Sequence, residues 1–313
     1  MRGRRDSMEP MTDNEEDDYA GRESGCCSNM SEMHVPFEKA MQHWVFTFIG
    51  VLFFCVIMQA AQLTVAANTL QHSIYVASVG ALCEFIITYH YPGVQINPFL
   101  VIHQYLDDML HGRVRARHSV LQFANMIIIL MIGIVASAAA LGVTHLKSGD
   151  YDKVGGPKVD PNSTRGEIRV AEAVATFIYG SIYMWGVAKL AHKECEDSVR
   201  DVTNEQGVQR VIAKCHLEKH MDLVWVAVCN AAGFFLACSY AFPVSGGSIN
   251  IYRSGAAAIA SGNYYGVWHA FTGHIIGFTC ASILYFSYCF VSKRMHFGLT
   301  RFHHSLRSVD SRN

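Results

Sequence analysis

Charge is what this sequence has least of. Only 16% of its 313 residues are Asp, Glu, Lys or Arg, against about a quarter in ordinary soluble domains. Those charges are gathered into the two ends and a few internal segments, so long runs carry almost none. The formal net charge of −1 offers nothing to a nucleic-acid backbone, which is bound by clustered Lys and Arg. Neither a catalytic triad nor a phosphate-binding loop can be assembled from the motifs, so no enzyme is expected. Cysteine is missing from the one polar loop assigned to the outside below, which argues against a disulfide framework despite ten cysteines. Six of them, Cys55, Cys83, Cys229, Cys238, Cys280 and Cys289, fall in apolar runs and read as small packed hydrophobes. The N-terminus lacks the apolar core of a signal peptide. Residues 1–38 are polar, with the acidic cluster Asp13, Glu15, Glu16, Asp17 and Asp18, and read as an unstructured tail.

What the chain does have is hydrophobic length. Hydrophobic residues make up 51% of it, and the mean hydropathy is +0.18. Six runs reach the ~20 residues that a membrane helix needs: about 37–62, 73–91, 120–143, 168–190, 222–242 and 267–291. An all-α membrane protein is the expected class.

Two further stretches break the apolar pattern in the same way. Gly93-Val94-Gln95-Ile96-Asn97-Pro98-Phe99 follows the second run, and Gly246-Gly247-Ser248-Ile249-Asn250-Ile251-Tyr252 follows the fifth. Both read Gly-x-x-Ile-Asn-x-aromatic. Each leads into a short apolar segment, to about Leu106 and about Ala260, too short to cross a bilayer. Asn before the first turn, with Pro at the first helical position, suits a helix start. Backbone interrupted at membrane depth must be buried in protein or line a wet cavity. Paired interruptions in corresponding places of two halves point to a transport site.

Six crossings and two half-crossings place both termini on one side. That side carries Arg2, Arg4, Arg5, Arg22, Lys39, the arginines at 113, 115 and 117, six basic residues from Lys189 to Lys219, and five after residue 292. The other carries Lys147, Lys153, Lys158, Arg165, Arg169 and Arg253. Basic residues favour the cytoplasm, so both termini are expected there. The Asn162-Ser163-Thr164 sequon is then outside, where Asn162 is a candidate for N-glycosylation.

Six spans with an Asn half-helix after the second and fifth resemble the aquaporin family. The similarity covers residues 39–292, with repeats at about 39–143 and 168–292, a cytoplasmic tail at 1–38 and another at 293–313. Glu172-x-x-x-Thr176, Gly273-His274-Ile275-Ile276-Gly277, and the Asn250, Arg253 and Ser254 of Asn-Ile-Tyr-Arg-Ser match family positions. The chain also departs from the pattern. Its two Asn-Pro-Ala motifs read Asn97-Pro98-Phe99 and Asn250-Ile251-Tyr252, His43 replaces a usual Glu, and Leu130 a usual Gln.

The resemblance implies a bundle of six membrane helices and two half-helices, built as an inverted repeat. It implies a passive channel for water or small neutral solutes such as glycerol, and a homotetramer in a lipid bilayer, the plasma membrane before an internal one. Asn97 and Asn250 would cap facing half-helices and turn amide N–H groups to the permeant. Arg253 would be the filter arginine. Counting back along the family's spacing, the other filter positions fall on Ala77, Cys238 and Gly247. These are small residues, which favours glycerol-sized solutes, whereas Ser254 favours water. Phe99 and Tyr252 either narrow the pore or pack outward against the spans, the ordinary place for an aromatic. Glu172 is expected to hold backbone groups of a half-helix. Glu84, the other acidic residue within a span, has His43 and His274 as candidate partners. His192, Cys195, Cys215 and His216 are zinc-type ligands at no recognised spacing, and neither a metal nor a cofactor is expected. The alternative to a channel is a non-conducting member of the same fold with a structural, adhesion or partner-binding role.

Overall fold

The computed structural model describes residues 37–64, 70–91, 93–110, 119–144, 163–200, 208–261, 264 and 266–310. The N-terminal tail through residue 36, the arginines at 113–117 and the sequon asparagine Asn162 lie outside the described residues. So do the side chains of His192, Cys195, Cys215 and His216.

The described residues form eight helices and no strand. They are α1 (Phe37–Thr64), α2 (Leu70–His90), α3 (Pro98–Leu110), α4 (Ser119–Val143), α5 (Arg165–Arg200), α6 (Val208–Ser245), α7 (Ile251–Ser261) and α8 (Val267–Asp310). Six of them hold stretches long and apolar enough to cross a membrane: Ala40–Leu63, Gln71–His90, Ser119–Val143, Arg165–Val187, Met221–Ser245 and Val267–Val291. The protein is an all-helical, multi-pass membrane protein. Large apolar side chains such as Leu121, Met131, Val135, Trp268 and Ile283 are exposed on its flanks, as lipid-facing side chains are.

Several helices outrun the apolar patterns that announced them. α3 extends to Leu110 instead of ending near Leu106, and α5, α6 and α8 continue well beyond their membrane stretches. The extensions of α5 and α6 carry Glu, Lys, Arg and Ala, residues that favour helix whether or not they are buried. α5 starts on a capping box. Glu167 accepts from the Thr164 backbone N–H (2.6 Å) while Thr164 Oγ1 accepts from that of Glu167 (3.3 Å).

The long helices pack mainly within each half of the sequence, and the α2–α6 pair joins the two halves. α2 packs on α6, α5 on both α6 and α8, and α1 on α4 and α2. The short helices cross between halves. α7, from the second half, packs on α4, and α3, from the first, packs on α4 and reaches α8. The α5–α8 contact is close enough to need glycine. A Cβ on Gly277 would stand 2.0 Å from the Ala173 carbonyl oxygen, and one on Gly273 would stand 2.6 Å from that of Arg169. Small residues four apart are how membrane helices bring their backbones together.

Gly277→Leu is therefore expected to abolish the folded, monodisperse species on size-exclusion chromatography in detergent, since overpacking typically costs about 1–3 kcal/mol even where neighbours can move. Gly142→Leu, whose Cβ would meet nothing within 4 Å, should elute like the parent protein.

Candidate functional site

The two interrupted segments meet inside the bundle and hold each other. Asn97 Oδ1 accepts from the backbone N–H of Phe99 (3.0 Å), and Asn250 Oδ1 accepts from that of Tyr252 (3.0 Å). Each asparagine thereby caps its own short helix. Asn97 Nδ2 donates to the Ile249 carbonyl (3.1 Å), and Asn250 Nδ2 donates to the Ile96 carbonyl (2.7 Å). The amide nitrogens are thus not wholly free for a permeant, as the sequence suggested. Each has two N–H donors and commits one to the opposite loop, because a loop carbonyl buried in the bundle must find a donor.

The backbone reaching each asparagine is tightly turned. Gly93 and Gly246, both four residues before their Asn, have φ of 89° and 75°, which glycine adopts without steric cost. Ile249 has φ of 39°, an uncommon setting for a β-branched residue. It is held from both sides, its N–H by Glu172 and its carbonyl by Asn97.

Glu172 organises the second loop. Its Oε1 accepts from the Ser248 N–H (2.8 Å) and the Ser245 hydroxyl, and its Oε2 from the Ile249 N–H (3.1 Å). His274 Nε2 lies 2.8 Å from the same Oε2. The acceptors of one fully buried carboxylate are thus used by backbone, hydroxyl and imidazole.

Arg253 sits in the first turn of α7 and is 1% exposed. It donates from Nη2 to the Gly246 carbonyl (3.2 Å), while Nε and Nη1 have no protein partner. Cys238 lies beside it. A Cβ on Gly247 would stand 3.0 Å from Cys238 Sγ, so Arg253, Cys238 and Gly247 share one place. Ala77 is fully buried on α2.

Phe99 and Tyr252 turn away from that place. The Phe99 ring packs among Phe271, His274 and Phe278 of α8, with centroids 5.6–6.1 Å apart. Tyr252 lies over Gly133 of α4, where a Cβ would meet its Cζ at 2.3 Å.

One turn along the antiparallel α2–α6 pair from Ala77 and Cys238, a layer of rings fills the column between α1, α2, α5 and α6. Phe234 packs edge-on against Phe54 (5.7 Å) and Tyr179 (6.0 Å), and its Cε1 would be 2.2 Å from a Cβ on Gly80. Another turn on lies Glu84, held by the Tyr179 hydroxyl (3.1 Å) and by Asn230 Nδ2 (2.8 Å), which also reaches Thr88 (2.7 Å). Neither His43 nor His274 is its partner. Beside this layer Gln95 Nε2 donates to the Tyr183 hydroxyl. Tyr179, Phe234 and Asn230 were not singled out from the sequence, yet the helical spacing marks them: 77, 80, 84 and 238, 234, 230 are facing rungs once the two spans run antiparallel.

No protein-family model matches this chain, and no curated protein matches it. Among the described residues no group of three or more His, Cys, Asp or Glu could hold a metal ion.

Removing the Glu172 carboxylate strands two backbone donors and His274. Glu172→Ala should lower stability by about 3–5 kcal/mol, as breaking a buried charged network does, and Glu172→Gln by less, because an amide oxygen still accepts. Chemical unfolding in detergent, followed by circular dichroism, gives the comparison.

Proposed function

We propose that the chain is a passive passage for water and small neutral solutes such as glycerol, through an aquaporin-type bundle of six membrane helices and two half-helices. The observation that carries this reading is Arg253: a cation 1% exposed, inside an apolar bundle, with two donor nitrogens lacking a protein partner. A charge in that setting is expected to face a wet interior. The neighbouring groups suit such a route. Two helix N-termini meet at Asn97 and Asn250, and their dipoles add to the Arg253 charge in opposing cations. Ala77, Cys238 and Gly247 are small, and Phe99 and Tyr252 pack on α8 and α4 instead of over the guanidinium. Both termini in the cytoplasm, glycosylation at Asn162, assembly as a homotetramer and a place in the plasma membrane belong to the same proposal.

One observation favours a second reading, a non-conducting member with a structural or partner-binding role. The Phe54–Phe234–Tyr179 layer fills the column on the side toward the termini, and no ordinary water file passes through packed rings. The two readings differ in what happens when that layer is opened.

Stopped-flow light scattering of liposomes carrying purified protein separates them. The passage reading expects water permeability above empty liposomes, a rise of about tenfold in Phe234→Ala as a side-chain barrier of ~1.4 kcal/mol is removed, and a changed water-to-glycerol ratio in Arg253→Val. If the folded parent and the folded Phe234→Ala protein are both as slow as empty liposomes, the passage reading is wrong and the structural one stands.

A further inference from the structure

Two carboxylates lie buried in the spans, and they are partnered differently. Glu172 meets the imidazole of His274 and two backbone N–H groups. Glu84 of α2 is 1% exposed and meets only neutral donors, the Tyr179 hydroxyl of α5 at Oε1 and Asn230 Nδ2 of α6 at Oε2. Among the described residues no Lys, Arg or His acts on it. The titratable groups that face it are Cys83 on its own helix and Tyr179 and Tyr183 on α5. Cys55 of α1 lies toward Arg253 instead, and Cys229 of α6 lies against Gly186. Asp107 of α3 lies beyond Tyr183. An ionisable side chain kept at membrane depth points to a function.

Tyr179 has two roles at once. Its ring packs against Phe234 in the layer that fills the column, and its hydroxyl donates to Glu84. Asn230, the other donor, is one turn from Phe234 on α6. The two oxygens of one carboxylate therefore hold the ring layer from α5 and from α6.

The Asn230 amide is only half used. Nδ2 donates to Glu84 Oε2 and to Thr88 Oγ1, but Oδ1 has no partner although the residue is 1% exposed. A buried acceptor left in that state is costly. An ionised carboxyl can only accept, whereas a protonated one has an O–H to donate. A proton on Oε2 would thus exchange the Nδ2 contact for one to Oδ1 of the same amide. The Tyr179 hydroxyl would then donate to a neutral oxygen instead of a charged one, a bond about half as strong.

We infer that Glu84 is a proton-binding site and that its carboxylate latches the ring layer. Ionised, it holds Tyr179 and Asn230 and keeps the layer closed. Protonated, it loosens Tyr179 and lets the layer part. The consequence for permeability rests on the passage reading; the proton site and its hold on Tyr179 do not.

Infrared difference spectra of the purified full-length protein read the site without any transport, across about pH 5–9, where buried carboxyl groups titrate. On acidification the parent protein should gain the C=O band of a buried protonated carboxyl and shift a tyrosine ring mode with it. Glu84→Gln should lack both changes, and Tyr179→Phe should lack the tyrosine shift alone. Stopped-flow measurements on liposomes over the same range read the layer. Water permeability of the parent protein should rise about fivefold toward acid pH, the gap between a charged and a neutral acceptor. Glu84→Gln, whose amide stands in for the protonated acid, should be fast and independent of pH. Tyr179→Phe, which keeps the ring and loses the hydroxyl, should behave likewise and serves if Glu84→Gln fails to fold. The inference is overturned if no carboxyl band disappears in Glu84→Gln, or if that band appears without the tyrosine shift. It is equally overturned if a conducting parent protein has no pH slope, or if the slope survives in the folded variants. Both infrared changes with permeability at the empty-liposome level at every pH would uphold the latch and count against the passage reading alone.

Discussion

The exchange of hydrogen bonds between Asn97 and Asn250 is the contact on which the interior depends. Two chain segments stop being helical in the middle of an apolar bundle, where a lone amide or carbonyl has no water to turn to. Each asparagine answers twice, capping its own helix with the side-chain oxygen and holding the opposite loop with the nitrogen. Four hydrogen bonds therefore fix the two short helices end to end. Everything placed by those helices follows from this: Arg253 in the first turn of α7, Phe99 on α8, Tyr252 on α4.

The symmetry is incomplete, and its defects are informative. One loop is clamped by a carboxylate and the other is not. One short helix starts with proline and the other with isoleucine, preceded by Ile249 in a left-handed conformation. Strain of that kind persists only where the surroundings over-determine it, and Glu172 and Asn97 do so by holding both faces of one residue. The half lacking its carboxylate carries a cavity, with His43 in its wall.

Much of this was legible in the chain. Six spans could be read because apolar length is a strong signal, and the paired Gly-x-x-Ile-Asn-x-aromatic stretches because they repeat. Glu172 stood out as an acidic residue within a span, and its expected role at a half-helix came from the resemblance, since the loop it holds lies 76 residues away. The partners of Glu84 were not legible. Tyr179 and Asn230 lie 95 and 146 residues away in sequence, on helices whose rotation is set by packing, and period alone does not fix rotation in a helix apolar nearly all round. The ring layer was hidden for the same reason, since Phe234 reads as one more apolar residue until Gly80 is seen to face it. The polar extensions of α5 and α8 were missed because hydropathy marks where a helix is buried, not where it ends.

Tyr252 in the notch of Gly133 and Phe99 among the rings of α8 mean that each half of the chain supplies the seat for the other half's short helix. That has a consequence in time. His103 of α3 and its neighbour Ser282 of α8 are 179 residues apart, which at roughly 5–20 residues per second of synthesis separates their appearance by about 10–35 s. For that interval α3 has α4 to pack on but not α8, and the first half waits in the bilayer as an unfinished structure that only the last helix can close.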